Sequence, residues 1–246
     1  MISGSASTTS RDSSRFLAGL RRHSYLGAGT AGLILACGHT TPVAPSGAFG
    51  ASSPQEFAVA ARGTAPGRPE LVRFSWRSDD GSLQLAGSGA ARIAPPDSLR
   101  ADIAASLGIG RATVILTGDS AVARPPNIVD QILPDRFAMW AVLGIAKAPP
   151  GDVRVELLVD GGRSLWRLTD AMGRATVYEL MGGALASVTR EEAGRQTSQL
   201  KLTRGTDGTV GRASLTDVLR NLRLEITING REASDAFPPE TWRLGP

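Results

Sequence analysis

Between Leu71 and Ile228 the apolar positions recur mostly every second residue, which is the period of a half-buried strand. In Leu71–Trp76, Val72, Phe74 and Trp76 share one face, and Arg73 and Ser75 take the other. Leu83 and Leu85 keep the period, and Leu99, Ala101 and Ile103 alternate with Arg100 and Asp102. Arg111–Thr117 reads as a compact buried strand closed by the turn residues Gly118 and Asp119. Val153, Val155, Leu157 and Val159 alternate up to the turn at Gly161 and Gly162, and Leu165–Leu168, Ala175–Leu180 and Ala184–Thr189 follow. Gln199–Leu202, Val210–Leu215 and Leu222–Ile228 complete the series. Short strands with a turn signal about every 8 to 12 residues predict a meandering antiparallel sheet. Glycines inside strands, such as Gly87 and Gly89, permit the bends of a strongly curved sheet; the same pattern also allows a plain β-sandwich.

One segment departs from the period. After Pro125 and Pro126, Asn127 is placed to cap a helix through Ile128, Val129, Ile132 and Leu133, which Pro134 ends. Phe137–Ala146 (FAMWAVLGIA) then carries no charge. A helix apolar all round has no solvated face, so it is packed as core on the sheet, in contact with lipid, or set as a lid over a hydrophobic cavity.

The N-terminus has a different character. Arg15, Arg21 and Arg22 precede an uncharged, mostly apolar run from Tyr25 to Ala36, too short for the roughly 20 residues of a membrane span but suited to an export signal. The run ends Leu33-Ile34-Leu35-Ala36-Cys37, which resembles the bacterial lipobox. That resemblance implies cleavage after Ala36 and a diacylglyceryl group on the Cys37 sulfur. Cys37 is the only cysteine in the chain and so cannot form an internal disulfide. An ordinary signal peptide with a chance cysteine is the alternative. Gly38, in place of the aspartate associated with inner-membrane retention, favours the outer membrane over the inner by the same resemblance. From Gly38 to Gly67 the chain is rich in Ala, Ser, Pro, Gly and Thr, which predicts a flexible linker, unless Phe57–Ala60 docks on the domain. The expected organisation is a signal peptide over 1–36, a lipidated cysteine and linker over 37–67, and a folded domain over 68–246.

Charge narrows the partners. The sequence has 27 basic and 23 acidic residues, but Arg11, Arg15, Arg21 and Arg22 lie before Cys37 with only Asp12 against them. The rest is close to neutral, which gives no reason to expect nucleic acid. Catalytic inventories are also thin. The two histidines, His23 and His39, lie outside the predicted domain, so a histidine triad or a zinc site with histidine ligands is excluded there, and no metal or cofactor is expected. Asp97, Asp102, Asp119 and Asp135 are scattered single carboxylates suited to turns and strand edges. Gly161-Gly162 and Gly182-Gly183 read as hairpin turns rather than phosphate loops, and the domain has no Gly-x-Ser-x-Gly sequence. The expectation is a protein that is not an enzyme.

Several segments together resemble the LolA/LolB superfamily of lipoprotein carriers and receptors. They are Val72–Trp76, Ser88–Ala90, Pro96–Asp102, Leu116–Asp119, Trp140–Gly144, Leu224–Asn229, Phe237–Pro239 and the C-terminal Pro246. The resemblance implies an α+β fold, a strongly curved antiparallel β-sheet forming an incomplete barrel with an inserted apolar helical segment. It also implies that the concave face binds acyl chains, of a lipid or of an acylated lipoprotein, in the cell envelope. Candidate lining residues are Phe74, Trp76, Leu85, Leu116, Met139, Trp140, Leu143, Leu157 and Trp166. An acyl chain of about 16 carbons gains roughly 10 kcal/mol on leaving water but has that gain already in a membrane, so a useful groove must be nearly as apolar as the bilayer. The alternative is a structural or assembly lipoprotein with a filled concave face that docks a protein partner.

Overall fold

Alternation along the chain does build strands, and they join into a single antiparallel sheet. The computed structural model describes residues 47–106, 110–126 and 136–245, all within the unit Ala44–Pro246. In chain order the strands are β1 (Gly50–Ser52), β2 (Glu70–Asp79), β3 (Gln84–Ala94), β4 (Ser98–Ala105), β5 (Arg111–Thr117), β6 (Ser120–Arg124), β7 (Val153–Asp160), β8 (Arg163–Asp170), β9 (Ala175–Met181), β10 (Ala184–Glu192), β11 (Arg195–Arg204), β12 (Val210–Asp217) and β13 (Leu222–Ala233). Two helices, α1 (Pro54–Arg62) and α2 (Arg136–Ala141), and a 3-10 turn (Pro239–Trp242) complete the described elements. The sheet order is β1-β7-β8-β9-β10-β11-β12-β13-β2-β3-β4-β5-β6, so the sheet is open, with β1 and β6 at its ends.

This order makes two meanders, β2–β6 and β7–β13, joined where β13 pairs with β2 from Arg223↔Asp79 to Ala233↔Glu70. The chain leaves β6 at one end of the sheet and must reach β7 at the other. Residues of this crossover lie on the inner face. Met139, Val142 and Leu143 meet β2, β3, β4 and β13, while Ala138 and Ala141 meet β9 to β12. One short segment touching both halves of the sheet means that the sheet curves around it. The inward residues of nearly every strand join the segment in one core, from Val72 and Leu99 through Tyr178, Leu185 and Leu200 to Leu224.

Curvature has a local cause at β3. Opposite Gly87 stands Trp76, and opposite Gly89 stands Phe74. A Cβ at Gly87 would lie 2.1 Å from the Ala104 carbonyl oxygen and 2.7 Å from the Trp76 ring, and one at Gly89 would lie 2.5 Å from the Phe74 ring. The rings fold down over bare backbone, which only glycine allows.

The expected linker is partly folded, and the alternative in which Phe57–Ala60 docks on the domain is the one observed. Gly50–Ser52 pairs with β7 and becomes the last strand at that end of the sheet. Ser53 then begins α1 with a capping box: its side chain accepts from the Glu56 N–H, while the Glu56 carboxylate accepts from the Ser53 N–H and the Ser52 hydroxyl. Phe57, four residues before buried Ala61, turns inward and is 1% exposed. Its ring lies 5.2 Å from that of Tyr178 and 5.7 Å from that of Trp166. Just upstream, Phe49 packs on Leu158, Leu165 and Val177, a smaller apolar cluster of β7–β9. Composition predicted a tether, but enough of its few apolar residues find partners to order the segment.

Two further expectations are corrected. Leu83 precedes β3 in a turn and is exposed, because Asp80 accepts from the N–H groups of Ser82 and Leu83 and closes the turn there. The expected turn at Gly118 and Asp119 closes β5 and leads into a further strand, β6. The apolar insert is helical only to Ala141. Gly144 has φ +89°, and a Cβ there would lie 2.7 Å from Val210, so the chain turns and runs on irregularly to Ala146. The segments around Cys37 and Asn127–Leu133 lie outside the described residues.

Candidate functional site

The inner face divides into a filled floor and an open end. On the floor, Met139, Val142 and Leu143 press toward Phe74, Trp76, Leu99, Leu224 and Ile226 and leave a void of about 30 Å³. On the other flank Phe137, Ala138 and Ala141 leave about 20 Å³ beside Tyr178, Val188, Leu200 and Leu215. Each space suits about one water molecule, whereas ligand pockets run to about 300–1,000 Å³. No acyl chain fits between the sheet and the insert as they stand.

Polar contacts fasten the insert at its trailing end. The Ala146 N–H donates to the Thr64 hydroxyl at 2.8 Å, and that hydroxyl donates to the Ala61 carbonyl at 2.7 Å, tying the insert to the end of α1. Arg231 Nη2 donates to the Leu143 carbonyl at 2.8 Å, and the Tyr178 hydroxyl donates to the Lys147 carbonyl. Lys147 Nζ donates to the Pro96 carbonyl at 2.6 Å and lies 4.8 Å from the centre of the Trp140 ring. Burial lowers the Lys147 pKa, and the charge of Asp97 opposes that shift.

At the open end a cleft of about 590 Å³ lies between the last turn of α1, the turn after α2, and the ends of β8 to β13. Val59 stands exposed on its rim over the buried apolar residues Leu143, Ile145, Trp166 and Leu180, which show only 2–6% of their surface; Arg204, Arg231, Glu70 and Thr64 supply polar wall. Two irregularities shape it. From Leu222 to Ile228 the even-numbered residues of β13 face inward, so strict alternation would send Arg231 outward. A bulge between Ile228 and Gly230 shifts the register and sets Arg231 opposite inward-facing Val72. A second shift pairs Thr203 with Arg212 but Arg204 with Val210, and Val210 is buried at 3% exposure.

Of the residues expected to line a groove, Phe74, Trp76, Met139 and Leu143 meet around the small void, and Leu143 and Trp166 also line the cleft. Trp140 and Leu116 are core residues, at 6% and 2% exposure. Leu85 and Leu157 are half-buried and pack against the core. Sequence reasoning missed Arg204, Arg231, Val59 and Thr64. Only the basic pair inside otherwise alternating strands could have signalled them.

On the outer face Asp102 binds three partners: Arg92 at 2.7 Å, Arg100 at 2.9 Å and the Thr113 hydroxyl at 2.8 Å. Burial opposes its charged form, but hydrogen bonds from Arg100 and Thr113 and the charges of Arg100 and Arg92 outweigh it, holding the carboxyl below its ordinary pKa. Arg100 also donates to the carbonyls of Thr241 and Arg243, pinning the C-terminal segment on β4. Asp102 is thus a structural ion-pair centre. Among the described residues no group of three or more His, Cys, Asp or Glu could hold a metal, and no helix is long and apolar enough to cross a membrane.

No family model matches this sequence, and no curated protein matches it. Solved structures do match. A LolA superfamily protein from Nitrosomonas europaea superposes with a TM-score of 0.53 at 12% identity, covering 79% of this chain and 99% of that one. A domain from Vibrio parahaemolyticus, assigned to outer membrane lipoprotein sorting, gives 0.52 at 8% identity over 76% of this chain and 94% of that one. The chain has a LolA/LolB-like fold. At such identities the likeness is one of architecture. The LolA/LolB-like sheet is open here, and its inner face holds the insert and α1.

Proposed function

We propose that this protein binds a hydrocarbon-bearing ligand, a lipid or the acylated end of a lipoprotein, at the open end of its LolA/LolB-like sheet. The observation that carries the reading is the cleft of about 590 Å³ with Val59, Leu143, Ile145, Trp166 and Leu180 on its walls. Its size lies in the range of ligand pockets, about 300–1,000 Å³. The reading is noncovalent and non-enzymatic: the ligand is sequestered from water, not altered. The deep groove expected from the sequence is replaced by this peripheral site, because α2 and the residues after it occupy the floor. The lipobox at Cys37 supports tethering to a membrane of the cell envelope, with the domain facing the periplasm, most simply from the outer membrane. The likeness to lipoprotein-sorting domains agrees with that setting.

Val59 is 61% exposed on the cleft rim, so it can be altered without touching the core. Titration of the full chain with a fluorescent fatty-acid probe is expected to saturate at one ligand. Val59→Asp should weaken binding about fivefold or more, since a charge replaces apolar wall. Met172→Asp, at an exposed position away from the cleft, should leave binding unchanged. No saturable binding, or equal effects of the two substitutions, overturns the reading. For the tether, Cys37→Ser should move the protein from the membrane to the soluble fraction; full membrane retention would refute lipidation.

The filled floor favours a second reading, a structural or assembly lipoprotein that docks a protein partner and holds no lipid. Absence of probe binding by a folded chain is the outcome that selects it.

A further inference from the structure

Arg204 and Arg231 sit together on the wall of the cleft. Arg231 spends Nη1 on Glu70 at 3.1 Å and Nη2 on the Leu143 carbonyl, and its buried Nε has no acceptor. Arg204 donates from Nη1 to the Gly208 carbonyl at 2.7 Å and from Nη2 to the Leu185 carbonyl at 2.9 Å. Neither acceptor is a carboxylate. Burial, and then the charge of Arg231, pushes the Arg204 pKa down, but a guanidinium stays protonated, so two like charges are held near each other. The acidic groups facing the pair are Glu70, already bonded to Arg231, and Asp207, an exposed turn residue whose oxygens accept from the Thr209 N–H and hydroxyl. Gly182 and Gly183, on the same rim, leave open space where side chains would stand.

We propose that Arg204 and Arg231 form a headgroup site for an anionic amphiphile, its phosphate or carboxylate on the two guanidiniums and its chain along Leu143, Ile145 and Trp166. The inference rests on the cleft being a hydrocarbon site and adds the chemical class of its ligand. Guanidinium and a phosphate or carboxylate match in fork geometry. The apolar wall adjoining the pair makes an amphiphile a better fit than a small hydrophilic anion.

The test compares ligands sharing one tail. Full chain is titrated by calorimetry with dodecyl phosphate and with dodecyl maltoside, each below its micelle concentration, and with inorganic phosphate. Dodecyl phosphate is expected to bind about tenfold or more tightly than the maltoside, the size of a charge-assisted hydrogen bond. Arg204→Gln should erase most of that preference, and Arg204→Lys should retain part of it. Added salt should weaken the phosphate ligand selectively in the unmodified chain, a readout that does not depend on any variant folding. Equal affinity for the two tailed ligands overturns the headgroup site and leaves the hydrocarbon cleft standing. Binding of neither overturns both. Inorganic phosphate binding as tightly as dodecyl phosphate identifies a free-anion site and overturns the amphiphile.

Discussion

A side chain's surroundings in this protein are often set by a neighbour that has none. Gly87 admits the Trp76 ring, and a single methyl there meets the Ala104 carbonyl at 2.1 Å, which no rotamer can relieve. Gly87→Ala is therefore expected to lower stability by about 1–3 kcal/mol, the usual cost of overpacking, read from urea denaturation of the full chain. At the start of α1 the Ser53 hydroxyl satisfies the Glu56 N–H, so Ser53→Ala should cost about 1 kcal/mol in the same measurement. Both effects follow from residue types visible in the sequence, an in-strand glycine and a Ser-x-x-Glu cap. Arg231 does not. Its inward aim depends on the one extra residue accommodated between Ile228 and Gly230, and nothing in the spacing of Leu224, Ile226 and Ile228 announces the shift.

Among the elements, α1 decides between the two readings of its segment, a free linker or a docked one. A nine-residue helix is too short to be stable alone, and its order comes from Phe57 packing against Trp166 and Tyr178. Phe57→Ala is expected to cost about 3–5 kcal/mol, as for large aromatic truncations in a core. A chain beginning at Arg68 should lose more, since it exposes both aromatic rings and the edge of β7 that β1 covers; aggregation during expression is the expected sign. A truncation as stable as the full chain would show that the segment only decorates the domain. The insert shows an error of sequence reading. Ten uncharged residues suggested a continuous helix, yet Gly144 ends it early, because Val210 lies where any side chain would stand. Hydrophobicity correctly predicted that the insert is buried. Its shape came from what it is buried against.

At the scale of the whole folded unit, ion pairs on the outer face give it a pH response. Asp102 has a folded pKa below its unfolded value of about 3.9, so its stabilising contribution is complete above that value and is lost as pH falls through the folded one. Urea midpoints should hold steady from about pH 6 to about pH 5 and drop below about pH 4, and Asp102→Asn should flatten the drop while lowering the plateau by about 1 kcal/mol. An unchanged acid limb in that variant would move the response to other carboxylates. The strands of the sheet were largely legible in the sequence, because a half-buried strand writes its burial as a two-residue alternation that needs no knowledge of its neighbours. So was the apolar character of the insert. The filling of the inner face was not legible, because the same apolar residues can line a groove or fill one. That difference depends on how far the sheet curves, how far apart β6 and β7 lie across it, and where the crossover between them comes to rest. The cleft with Arg204 and Arg231 belongs to the same class, since side chains distant in sequence converge there only after bulges and turns have added their displacements together.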